Sequence, residues 1–213
     1  MSNKALTSKG KDIAVQFDPQ CCINAGNCSC CLGIVDPDEK GQQIHPGKAS
    51  AEELSALVRS CPSGALSFPE DSKAGKETAP KHNKITVQAD GPLLVHADHT
   101  INGKKTRGVR TALCRCGASG NKPLCDGSHK QAGFADDGRY QVAKLEAGIE
   151  EGPLNISSLP DGPLLLQGPY EIHDAAGNVV DQGTKAALCR CGTSGNKPFC
   201  DGSHVAVAFK SED

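Results

Sequence analysis

ALCRCGASGNKPLCDGSH, residues 112–129, and ALCRCGTSGNKPFCDGSH, residues 187–204, differ only at Ala118 against Thr193 and at Leu124 against Phe199. So close a match within one chain marks an internal duplication. It extends upstream, where DGPLL at 90–94 answers DGPLL at 161–165, and downstream, where Phe134 answers Phe209. The motif offset is 75 residues and the upstream offset is 71, so the second copy carries four extra residues between the two landmarks. Those residues fall where each copy predicts a hairpin. The first copy has Asn102-Gly103, a strong short-turn signal, and the second has DAAGNVV around Gly177 and Asn178. Each copy therefore reads as a few short strands leading into a Gly-rich cysteine loop. Small β-units of this kind rarely stand alone, which predicts that the copies pack as a pseudo-twofold pair.

The rest of the 213-residue chain is consistent with small domains held together by something other than a deep core. Trp is absent, Tyr and Phe number two and five, and Gly and Pro reach 24 and 13. Thin cores are supported by disulfides or metals, and twelve Cys are available for either. The opening MSNKALTSKGKDIAVQF has no apolar h-region or cleavage site. A reducing, cytoplasmic setting is therefore expected, where clustered cysteines are metal ligands more often than disulfides. No apolar run is long enough to span a membrane. A net charge of -2 with scattered Lys and Arg gives no case for nucleic acid.

The candidate ligands are Cys114, Cys116, Cys125 and His129 in the first copy, and Cys189, Cys191, Cys200 and His204 in the second. In extended chain, residues i and i+2 share a face, so Cys114 and Cys116 can grip one iron while Arg115 faces outward. A helix beginning near Asp126 would put Cys125 and His129 one turn apart, on a second iron, with its N-terminal dipole stabilising negative charge. Ser119 and Ser194 are placed to hydrogen-bond cluster sulfides. A three-cysteine, one-histidine zinc site is the competing reading. The single residue between the paired cysteines is shorter than zinc knuckles use.

Both copies carry CxC, two residues, Ser, three residues, Pro, one residue, then CDG, a small residue and His, with Ser119, Pro123 and Ser128 answered by Ser194, Pro198 and Ser203. This closely resembles the CDGSH iron-sulfur domain family, the mitoNEET-like proteins, in its tandem two-motif form. The resemblance covers about residues 84–210. It implies a [2Fe-2S] cluster per motif on three Cys and one His, a β-rich cap, and pairing of the two units about a twofold axis. An imidazole in place of one thiolate predicts a raised potential. The ring nitrogen not on iron predicts that reduction is coupled to protonation and that acid loosens the cluster.

The first seventy residues form a different module. Ile13, Val15 and Phe17 alternate as a short strand, followed by the cysteine-dense CCINAGNCSCC, residues 21–31. A helix then opens on a capping box at Ser50 and Glu53, places Leu54, Leu57 and Val58 on one face, and stops at Cys61-Pro62. CINAGNC and CPSGAL resemble the divergent mono-cluster ferredoxin-like domain over about residues 12–69, with Ala25 at the second ligand position. The resemblance implies Cys22, Cys28 and Cys61 as ligands of a [3Fe-4S] cluster; Cys21, Cys30 or Cys31 would complete a [4Fe-4S] site. His45, His82, His96, His99 and His173 receive no ligand role.

The expected architecture is α+β, made of small cluster-stapled domains: a flexible N-terminus at 1–11, a ferredoxin-like module at 12–69, a linker at 70–83, and β-rich repeats at 84–138 and 139–210. The expected function is electron transfer by a monomer without enzymatic activity, serving a redox partner protein and touching neither nucleic acid nor membrane. Cluster transfer to an apo-acceptor, redox or pH sensing, and a zinc-stabilised interaction module are the alternatives.

Overall fold

The computed structural model describes residues 5–9, 13–28, 33–38, 41–69 and 77–211. The protein is mostly strands with few helices, and it divides into two compact units, Met1–Thr78 and Ala79–Asp213. Among the described residues no helix is long and apolar enough to cross a membrane.

In the first unit, β1 (Leu6–Lys9), β2 (Ala14–Phe17) and β5 (Leu66–Ser67) form one sheet in the order β1-β2-β5. The alternation seen in sequence is the burial pattern: Ile13, Val15 and Phe17 point inward. Strand β1 lies within the span expected to be a flexible N-terminus, whose residues 1–4, 10 and 11 lie outside the described residues. It pairs along its length with β2, from Leu6↔Phe17 to Lys9↔Ala14, and its exposed side chains carry no burial signal for a sequence reading to detect. A hairpin of β3 (Val35–Asp38) and β4 (Gly41–Ile44) adds Val35 and Ile44 to the core. Helix α1 (Ala51–Ser60) has the predicted capping box. Glu53 N–H donates to Ser50 Oγ at 3.2 Å, Ser50 N–H donates to Glu53 Oε2 at 2.8 Å, and Leu54, Leu57 and Val58 are buried.

The second unit contains β6 (Lys84–Val87), β7 (Leu93–His96), β8 (His99–Ile101), β9 (Lys104–Lys105), β10 (Arg110–Leu113), β11 (Lys144–Leu145), β12 (Leu154–Ser158), β13 (Leu164–His173) and β14 (Val179–Leu188), all in one nine-stranded sheet, with the short helix α2 (Ser203–Ala206). Asn102 and Gly103 turn the β8–β9 hairpin with φ of 49° and 74°, the double left-handed pair of a primed turn. Residues 174–178 close the longer β13–β14 hairpin, where Asp174 accepts from the N–H groups of Ala176 and Asn178 at 2.9 and 2.8 Å.

The leading strand of each copy lies beside the other copy. Strand β6 runs parallel to β13 with Ile85 opposite Ile172, and β12 runs parallel to β8 with Ile156 opposite Ile101. Both pairs are related by the 71-residue offset, so one register is the reciprocal of the other. One apolar cluster accordingly joins Ile85, Leu93 and Leu113 to Ile156, Leu164 and Leu188. Asn83 corrects the end of the expected linker, whose residues 70–76 lie outside the described residues. It is buried, with Nδ2 donating to Gly152 O and Pro169 O, both at 2.8 Å, and Oδ1 accepting from Asp98 N–H. A side chain with three main-chain partners belongs to the sheet.

Candidate metal centres

Each motif begins where a strand runs out. Strand β10 ends at Leu113, the chain loops away through Gly117 and Gly120, and it returns at Leu124 to pair with Leu113. Cys114 N–H donates to Pro123 O and Cys125 N–H to Ala112 O, both at 2.9 Å, which clamps both ends of the loop. The second copy repeats the clamp with Cys189 N–H on Pro198 O at 2.8 Å and Cys200 N–H on Ala187 O at 2.9 Å. Both X-Pro bonds before these prolines, Lys122-Pro123 and Lys197-Pro198, are cis.

The clamp leaves four donors in two pairs. Cys114 and Cys116 Sγ stand 3.7 Å apart, and Cys125 Sγ stands 3.4 Å from His129 Nδ1; the second copy has the same two distances at Cys189–Cys191 and Cys200–His204. Two sulfurs on one tetrahedral metal, at bonds of about 2.3 Å, lie about 3.8 Å apart, and a sulfur and an imidazole nitrogen about 3.6 Å. Each pair is thus spaced to share one metal ion. Among the described residues no three His, Cys, Asp or Glu side chains gather as a mononuclear site requires. Two such pairs per motif are a donor set that a binuclear cluster would fit.

Protonation follows the same division. Hydrogen bonding from Cys116 pulls the Cys114 thiol down against the opposing effect of burial, aided by the backbone N–H groups of Ser119 and Gly117, while the same bond and burial push Cys116 up. Burial raises Cys125 to about 11 and also raises Cys189. Burial, then the Lys130 charge, lowers His129, which favours the neutral imidazole that a metal needs. Backbone N–H groups reach three more sulfurs at 3.4 Å: Ala118 to Cys116, Gly127 to Cys125 and Gly202 to Cys200. These donors stabilise thiolate.

Three details of the sequence reading change. Arg115 does point away from the sulfurs, but not to solvent: it is 2% exposed, with Nε on Gly91 O and Nη2 on Gln88 O, both at 2.7 Å, Nη1 2.8 Å from Asp136 Oδ1, and its guanidinium 4.8 Å from the Phe134 ring. Arg190 is buried in the same way, bonded to Gly162 O and Leu159 O beneath Phe209. The Ser119 hydroxyl is not free for sulfides. It donates to Leu124 O at 2.7 Å and accepts from Asn121 N–H, and Ser194 does the same with Phe199 O and Asn196 N–H, so both staple the loop. No helix begins near Asp126; residues 128–133 are turns, and α2 starts only at Ser203. Asp126 instead ties loop to turn by accepting from Gly120 N–H at 2.8 Å and Ser128 N–H at 2.9 Å, and Asp201 does likewise with Gly195 and Ser203. A carboxylate two residues before a Ser N–H was a readable Asx-turn signal.

The two loops touch each other. A Cβ on Gly117 would lie 2.6 Å from Cys191 O, and one on Gly192 would lie 2.6 Å from Cys116 O, at φ of 82° and 86°. Only glycine fits on both counts. Gly117→Ala is expected to cost at least the 1–3 kcal/mol of left-handed strain and to broaden the visible spectrum of both metal sites. Thermal unfolding and absorbance measure the two effects.

In the first unit, Cys22, Cys28 and Cys61 line a single cavity of about 120 Å³ together with Ala25, Asn24, Asn27 and Ser63. Leu66 N–H donates to Cys61 Sγ at 3.4 Å, and Asn27 Nδ2 holds Ser60 O at 2.8 Å, fastening the cysteine loop to the end of α1. The three thiols share the wall of one cavity. Cys21 does not line the cavity, although like Cys22, Cys28 and Cys61 it packs against the apolar core. Cys30 and Cys31 lie outside the described residues. His99, given no ligand role above, is a buried strand residue bonded to Ala97 O and Thr111 Oγ1.

Paired thiol and imidazole donors on stapled loops are the donor set that an iron-sulfur cluster protein would need. The model of the iron-binding zinc finger of CDGSH type matches residues 90–130 and 161–205, and the model of the divergent 4Fe-4S mono-cluster family matches residues 8–71. The chain therefore carries two CDGSH-type domains behind one divergent mono-cluster domain. No curated protein matches it.

Proposed function

We propose that this chain is an electron-transfer protein holding three clusters. One [2Fe-2S] cluster sits on Cys114, Cys116, Cys125 and His129, a second on Cys189, Cys191, Cys200 and His204, and a [3Fe-4S] or [4Fe-4S] cluster on Cys22, Cys28 and Cys61. The observation that carries the reading is the pairing of donors two by two, at 3.7 and 3.4 Å, in both motifs. Each [2Fe-2S] cluster would accept and return one electron. The residues around it hold its ligands rigid through the Asp126 and Ser119 staples, so little reorganises when charge changes. The reciprocal approach of Gly117 and Gly192 supports electron exchange between the two sites. The reciprocal registers of Ile85 and Ile156 support a pseudo-twofold pair. The reading places the chain in a reducing, cytoplasmic setting, where clustered cysteines serve as metal ligands more often than as disulfides. In this reading the chain is a monomeric carrier for a redox partner protein and not an enzyme.

Anaerobic purification with iron, sulfide and zinc quantitation and EPR tests it. Roughly seven irons per chain are expected with a [3Fe-4S] site and roughly eight with a [4Fe-4S] site. One zinc per motif without sulfide overturns the reading. Cys61→Ser should erase the N-terminal cluster's signal alone. Incubation with an apo-ferredoxin should leave all clusters in place; a cluster handed over would make the chain a cluster donor instead.

A further inference from the structure

The two motifs differ at two positions, and one of these faces a ligand. In the first copy Ala118 offers Cys116 Sγ only its backbone N–H, at 3.4 Å. In the second copy Thr193 Oγ1 lies 3.2 Å from Cys191 Sγ. A metal-bound cysteine is a thiolate and has no proton to give, so in the loaded site the hydroxyl must be the donor. We propose that the two sites are redox-inequivalent, with the second the more oxidising, and that Thr193 sets the difference.

A hydrogen bond to a cluster sulfur withdraws electron density and stabilises the form carrying the added electron, which raises the potential. Solvent acts in the same direction. Cys125 and His129 are buried, at 2% and 5% exposure, whereas Cys200 and His204 are half-buried. Asp201 and Gly202 are likewise more exposed than Asp126 and Gly127, and Val205, next to the second histidine, is 76% exposed. Water near the second cluster would favour its more negative, reduced state. The hydroxyl and the exposure are separate observations, and both favour reduction at the second site. A single electron from a one-electron donor would then rest on the cluster of Cys189, Cys191, Cys200 and His204.

The inference rests on each motif holding a cluster, so potentiometric titration of the full-length protein should be paired with iron and sulfide quantitation on the same sample. Two one-electron steps are expected from the two [2Fe-2S] sites. Thr193→Val keeps the shape and removes the hydroxyl; it should move the higher step down and leave the lower one in place. Thr193→Ser should hold the higher step, and Ala118→Thr should raise the lower one. Both positions are exposed, so the variants should fold as the parent does. Coincident steps in the parent, or an unmoved higher step in Thr193→Val, would overturn the inference while leaving the cluster assignment intact. Absence of iron and sulfide from the motifs would overturn both.

Discussion

Asp136→Asn is expected to destabilise the second unit by about 3–5 kcal/mol, the cost of leaving one member of a buried ion pair uncompensated. Arg115 is 2% exposed at its side chain and Asp136 is 12% exposed, so water can solvate little of either charge. Asp136 Oδ1 accepts from Arg115 Nη1 at 2.8 Å, from Tyr140 Oη at 2.6 Å and from Gly138 N–H at 3.0 Å. Asparagine keeps the shape while removing the charge and exchanging one acceptor oxygen for an NH2 donor, so side-chain volume does not confound the result. Burial alone would raise the carboxyl of Asp136, but the hydrogen bonds from Tyr140 and Arg115 outweigh it and hold the group below the ordinary carboxylate range. A depressed folded value means the stabilisation is present at neutral pH and is lost as pH falls through that lowered value. Anaerobic denaturant titration followed by circular dichroism measures the effect. A loss under about 1 kcal/mol, the range of an exposed pair, would mean that the carbonyls of Gly91 and Gln88 suffice to hold Arg115.

The same arginine marks where sequence reading stops. Alternation along Cys114, Arg115 and Cys116 correctly separates the arginine from the sulfurs, because that is a property of three adjacent residues. What covers its other face is set by Gln88, Gly91 and Asp136, more than twenty residues away in sequence, and no local pattern encodes that contact. The capping box of α1 and the Asn102-Gly103 turn were legible because each is closed within four residues. The duplication was legible as identity, yet the pairing of Ile85 with Ile172 is a choice between strands of different copies, which alternation cannot make. The candidate ligands could be picked out because metal chemistry restricts which residues can serve and at what spacing. The loop staples Ser119 and Asp126 were harder, since a hydroxyl or carboxylate near a cluster has several roles open to it and only the main-chain partners decide.

Ala25→Cys should give the proposed N-terminal site a fourth cysteine and, if the parent cluster is [3Fe-4S], add one iron per chain. Asn24 and Gly26 flank the position at φ of 52° and 83°, and Ala25 lines the same cavity as Cys22, Cys28 and Cys61. A thiol added there extends from a Cβ already at the cavity wall. The substitution regenerates the CxxCxxC spacing, with the fourth ligand at Cys61, that four-iron clusters use. Ala25 is exposed, so the extra sulfur displaces no packed side chain and the unit's stability should change by less than about 0.5 kcal/mol. From a [3Fe-4S] parent site iron should rise from three to four while sulfide stays at four, and the spin state read by EPR should change with the iron count. An iron count unchanged from the parent, at four, would mean that a donor beyond the three cavity cysteines already ligates the fourth iron. An unchanged count of three would mean that the loop cannot bring position 25 to the metal.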